Sequence, residues 1–102
     1  MKIESKLLNQ TLYVSMEGEL DEHASHYART ALDALLASAG AVRVVIDMSG
    51  LSFMDSTGIG VLLGRYKKLK VKGVPIYIAN PGKTIDKILK MTGLYDIMPK
   101  IG

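Results

Sequence analysis

The sequence has 102 residues, 48% of them hydrophobic and 23% charged, which suits one soluble globular domain over residues 1–102 and excludes a disordered or fibrous chain. It has no cysteine, which removes disulfides and thiolate metal sites, and no cationic-then-apolar leader, so a cytoplasmic location is expected; no apolar run approaches the roughly 20 residues of a membrane span. The net charge of +3 raises nucleic acid as a partner, but tryptophan is absent and Phe53 is the single phenylalanine, so the lysines read as solvated helix faces and no direct nucleic-acid contact is expected.

Residues 2–8 and 11–18 alternate in polarity around the polar pair Asn9-Gln10, with Leu12, Val14 and Met16 on one side, which predicts a β-hairpin. Asp21 is placed to cap a helix whose apolar positions Ala24, Ala28, Ala31, Leu32, Leu35 and Ala39 recur at helical spacing until Gly40. Val42, Val44, Val45 and Ile46 form a β-branched run with little alternation, as in a central strand covered on both faces. Ser49-Gly50-Leu51-Ser52 then reads as a loop, and a second helix runs from about Asp55-Ser56 to Val71, ended by Gly73. An apolar strand over 74–79, a turn at Asn80-Pro81-Gly82, a third helix over 84–92 ended by Gly93 and a short last strand within 95–101 complete the chain. The alternation of strand and helix predicts an α/β fold: a mixed, mostly parallel sheet with an N-terminal hairpin and about three helices.

Several motifs fail on inspection. Gly82-Lys83-Thr84 lacks the glycine five positions earlier that a phosphate-binding loop needs, because Tyr77 stands there. Gly58, Gly60 and Gly64 miss the dinucleotide spacing, since position 63 is Leu63. His23 and His26 are a pair without a third ligand, so no metal is expected. Ser56 has no glycine two residues before it and no visible base, which argues against a hydrolase nucleophile; neither enzymatic activity nor a cofactor is expected.

The second helix carries three glycines, each costing about 1 kcal/mol relative to alanine in an exposed interior, and so needs another reason for them. At 100° per residue, Ile59, Leu62, Leu63, Tyr66 and Leu69 form the predicted core face. Thr57, Gly60, Val61, Gly64 and Lys68 fall toward the opposite side, a flat apolar surface suited to close approach by another protein; the glycines would equally let the helix lie near its own sheet. Ser56 stands at the helix start, where serine is an ordinary N-cap. A phosphate there would meet free amides and the positive end of the helix dipole without unfolding the domain. It would also put about −1.5 to −2 charges beside the flat face and repel a docked partner.

At these residues the chain closely resembles the anti-sigma factor antagonist branch of the STAS family. The resemblance rests on Gly18-Glu19-Leu20-Asp21, on the run from Leu51 through Phe53-Met54-Asp55-Ser56-Thr57-Gly58-Ile59-Gly60, and on Met91-Thr92-Gly93-Leu94, while Leu62-Leu63-Gly64-Arg65-Tyr66-Lys67 is most like the sporulation members. It implies partner switching. The unmodified form would bind an anti-sigma factor that is itself a serine kinase, releasing a sigma factor; the kinase would phosphorylate Ser56 and dissociate, and a PP2C-type phosphatase would restore the binding form. Asp21 matches a family acid beside that serine and, with Ser56, Thr57, Gly58, Gly60, Val61, Gly64 and Lys68, is expected to form the partner-binding surface. Thr57 stands where a second serine is common and is a rival site of modification. Two alternatives stay open: a nucleotide- or small-ligand-binding regulatory domain using a crevice near Asp21, Ser56 and Asn80-Pro81-Gly82, and a general stress-response antagonist with the same chemistry. A monomer is expected, since no extended apolar stripe is left once the core is assigned.

Overall fold

The structure, a computed structural model, describes residues 1–101; Gly102, the last residue of the expected domain span, lies outside them. Strands β1 (Lys2–Leu8) and β2 (Thr11–Leu20) form the expected antiparallel hairpin, in register from Lys2 opposite Glu17 to Leu8 opposite Thr11. Its two-residue turn holds Asn9 and Gln10 at φ 49° and 65°, the left-handed pair that matches the twist of the flanking strands. The chain continues through α1 (Glu22–Ser38), β3 (Arg43–Asp47), β4 (Leu51–Met54), α2 (Ser56–Val71), β5 (Ile76–Ala79), α3 (Lys83–Thr92), a 3-10 turn at Leu94–Asp96 and β6 (Lys100–Ile101).

The strands are ordered β1-β2-β3-β5-β6, with β4 paired to β2 off that path, and every pairing except β1 with β2 is parallel. This is the mixed, mostly parallel α/β sheet with an N-terminal hairpin and three helices that the sequence predicts. In β3, Val44, Val45 and Ile46 are all buried, as a two-sided central strand requires. The core gathers Leu12, Val14 and Met16 of β2, Ala28 and Leu32 of α1, Val61, Leu62 and Leu69 of α2, and Ile85 and Leu89 of α3.

Three boundaries differ from expectation. The stretch read as a loop over 49–52 runs into strand β4, whose four residues are too few to display an alternation and whose partner is distant in sequence. Its register, Gly18 with Leu51, then Glu19 with Phe53 and Leu20 with Met54, contains a shift at Gly18/Glu19. Strand β5 starts at Ile76, not at residue 74, because Pro75 has no N–H; its carbonyl instead accepts from Val44 N at 2.9 Å. The last strand shrinks to Lys100–Ile101, the preceding residues forming the 3-10 turn after Gly93, which closes α3 in the left-handed conformation at φ 76°.

The C-terminal segment is tied to α3 through one carboxylate. Asp86 accepts from Tyr95 Oη at 2.6 Å and lies 3.0 Å from Lys90 Nζ and 3.2 Å from Lys100 Nζ. The Tyr95 hydrogen bond and the two lysines hold its carboxyl well below the usual carboxylate range, while burial and Asp86 push the Tyr95 phenol up.

Candidate functional site

Strands β2 and β4 lie side by side and end together, and each launches a helix. The backbone groups at the two junctions are joined directly, Asp55 N donating to Leu20 O at 3.4 Å. At the first junction Asp21 is extended (φ −118°, ψ −173°), and its Oδ1 accepts from Ala24 N at 3.0 Å, capping α1 as the sequence suggests.

At the second junction the cap is Asp55. Its backbone is extended (φ −108°, ψ −172°), and its Oδ1 accepts from Gly58 N at 3.0 Å. The expectation that Ser56 serves as N-cap is therefore corrected: Ser56 is the first residue inside α2, exposed, with its hydroxyl relieved of capping. Two neighbouring residues, Asp and Ser, are both good caps, and only the backbone could choose between them. Asp55 does a second job. Its Oδ2 accepts from Glu22 N, the first amide of α1, at 3.2 Å, so one carboxylate serves the N-termini of both helices. Two positive dipole ends thus converge on the corner that bears Ser56.

The phase of α2 also differs from the predicted one. Its buried residues are Gly58, Val61, Leu62, Arg65 and Leu69, whereas Ile59, Leu63 and Tyr66 are only half-buried at its flanks. Apolar residues alone misplace the face, because glycine and arginine occupy two of the five inward positions. Val61, read as part of the outward surface, is fully buried. Gly58 faces inward too: a Cβ there would stand 2.2 Å from Leu20 O and 2.8 Å from Met54 Cγ, so this glycine lets α2 approach β2, the packing alternative named above. Gly60 and Gly64 have nothing within 4 Å of an added Cβ; Gly60 is exposed and Gly64 half-buried. Lys68 leans toward α1, with Nζ 3.0 Å from Asp33 Oδ2, and Thr57 is half-buried beside Ser56.

At 100° per residue Ser56, Gly60, Leu63 and Lys67 share the outward stripe of α2. Ser56, Gly60 and Lys67 are exposed and Leu63 is half-buried, so the start of α2 presents a hydroxyl followed by a bare stretch of backbone. Phe53, 45% exposed on β4, adds an aromatic ring just before Ser56; a four-residue strand with an irregular register gave no advance sign that it would face solvent. The hollow beside Asp21 is lined by Met1, Glu19, Asp21, His23, Ala24 and Tyr27 and includes neither Ser56 nor Asn80-Pro81-Gly82. With Glu19 and Asp21 in its wall it is poorly suited to a nucleotide phosphate. His23 and His26 are exposed on α1, and no group of three or more candidate metal ligands occurs among the described residues. No helix in these residues is long and apolar enough to cross a membrane.

The sequence pattern of the STAS domain matches residues 2–102. An anti-sigma F factor antagonist of Paenibacillus polymyxa is 35% identical over 99 residues, which are 97% of this chain and 85% of that protein. An anti-sigma-B factor antagonist of Bacillus subtilis (strain 168) is 28% identical over 98 residues, 96% of this chain and 88% of its own length. Among solved structures, the anti-sigma factor antagonist SpoIIAA in its unphosphorylated form superposes with a TM-score of 0.81 at 26% identity, covering 99% of this chain and 89% of that one. The phosphorylated form of the Bacillus protein gives 0.70 at 28% identity, covering 99% and 92%.

Proposed function

The chain belongs to the STAS domain family, and from that membership and the geometry of the α2 corner we propose that it is an anti-sigma factor antagonist switched by phosphorylation of Ser56. In its unmodified state it binds an anti-sigma factor, which is thereby withdrawn from its sigma factor. The anti-sigma factor is also the serine kinase that modifies Ser56, and a PP2C-type phosphatase reverses the change. The chain works in the cytoplasm as a monomeric binding domain, supplies no catalytic group and needs no cofactor.

One observation carries this reading: an exposed serine at the first position of α2, free of capping duty and in line with the bare backbone at Gly60. A phosphate adds about −1.5 to −2 charges where a partner must exclude water, and dissociation follows from desolvation and repulsion. The contact surface is made by Ser56, Gly60, Leu63, Gly64 and Phe53, with Asp21 and Thr57 at its edge and Lys68 on the α1 side. Val61 and Gly58 contribute from beneath, by packing. Sporulation is the favoured pathway because the sigma F relative is the more similar, 35% against 28% for the sigma-B relative.

The test is phosphorylation of the purified chain by the anti-sigma factor kinase of its own host with ATP, followed by intact mass. One phosphate is expected on the native chain and on Thr57→Ala, and none on Ser56→Ala. Modification of Ser56→Ala to the native extent, or its loss in Thr57→Ala alone, would assign the site to Thr57 or elsewhere.

A further inference from the structure

We infer that Asp55 is a positioning residue that carries the modification of Ser56 across to α1, its bond to Glu22 being the contact that yields; the inference rests on Ser56 being the modified residue. The carboxylate holds two backbone amides in different settings. Gly58 N is inside the same helix, part-buried, at 3.0 Å, whereas Glu22 N is exposed, 33 residues away in sequence, at 3.2 Å. The helix starts are otherwise held by the Asp55 N to Leu20 O contact, which at 3.4 Å is long, and by the close approach of Gly58 to Leu20.

A phosphate on Ser56 is an anion on the residue next to this carboxylate, and both seek the first-turn amides of α2. Repulsion between two such adjacent anions exceeds the net contribution of one exposed hydrogen bond, even one accepted by a carboxylate. The carboxylate therefore turns to relieve the repulsion at the expense of its weaker bond. Gly58 stays capped and Glu22 is released. The first turn of α1 keeps the Asp21 cap on Ala24 N but loses its link to α2. Phosphorylation thus reaches the partner surface by two routes, new charge on α2 and a loosened α1 start.

The experiment compares amide hydrogen exchange in the unmodified chain and in a chain with phosphoserine installed at position 56 by encoded incorporation, so that no kinase is needed. Glu22 should exchange about two- to tenfold faster in the modified chain, the factor equivalent to losing a typical hydrogen bond, while Ala24 is unchanged. Added negative charge by itself slows base-catalysed exchange, so a rise cannot be a field effect. In Asp55→Asn, whose single side-chain oxygen remains on Gly58, Glu22 should exchange fast with or without the phosphate. Equal or slower Glu22 exchange in the modified native chain overturns the inference, as does an undiminished response in Asp55→Asn; should that variant not fold, the native pair decides alone. Failure of the kinase assay above would instead strike the functional reading and leave this result intact.

Discussion

Gly58 and Gly60 stand two residues apart on α2 and have opposite surroundings. An added methyl at Gly58 would meet the Leu20 carbonyl oxygen at 2.2 Å, whereas at Gly60 it would meet nothing within 4 Å. The inner glycine serves the fold, because β2 and α2 touch backbone to backbone there and hold the two helix starts together. The outer one weakens the isolated helix and packs against nothing, which is what the proposed docking surface requires. One helix therefore carries the same residue type in two settings, separated by face: one required by packing, the other open to the proposed partner.

Substitutions on the two faces should break or sharpen this contrast. Gly58→Ala is expected to be the most damaging, at about 3–5 kcal/mol of stability, since a backbone oxygen cannot move aside as a side chain can. Urea unfolding measures it, and a loss under about 1 kcal/mol would mean that the junction is looser than described. Asp33→Ala comes next. Asp33 Oδ1 lies 3.0 Å from Arg65 Nε, a side chain only 8% exposed, and Oδ2 lies 3.0 Å from Lys68 Nζ. The Arg65 contact has an ion-pair distance without hydrogen-bond geometry, so Nε and Nη1 have no hydrogen-bond partner among the described residues. Removing the carboxylate leaves a buried cation uncompensated; with Asp33 itself 38% exposed, a loss of about 1–3 kcal/mol is expected in the same unfolding assay. Gly60→Ala should have the smallest effect on the fold and the opposite sign, raising stability by about 0.8–1 kcal/mol. In return it should weaken anti-sigma factor binding about tenfold by calorimetry, and stabilisation without any loss of affinity would remove Gly60 from the docking surface.

The parts of this structure that were legible in the sequence are those decided locally. Asn9-Gln10 between alternating strands specifies the hairpin, Asp21 caps α1, and the unbroken Val44-Val45-Ile46 run announces a strand buried on both sides. The rest depended on distant partners. Strand β4 exists because β2 offers it a parallel edge, and no four-residue segment advertises that. The inward face of α2 contains Gly58 and Arg65, which a hydrophobicity-weighted wheel pushes to the wrong side, and so the same reasoning that exposes Gly60 turns the buried Val61 outward. At the candidate site, the placement of Asp21 and Ser56 at the starts of α1 and α2 was legible from type and position. The bridging role of Asp55 was not, since the Glu22 amide it holds is brought near only by the pairing of β2 with β4.

The most direct test of the switch is the affinity of the anti-sigma factor for the native chain and for the chain carrying phosphoserine at position 56, titrated side by side by calorimetry. Tight binding of the first and at least a 100-fold weaker affinity for the second, about 2.7 kcal/mol, is the predicted result. Equal affinities, with both chains folded, would contradict it.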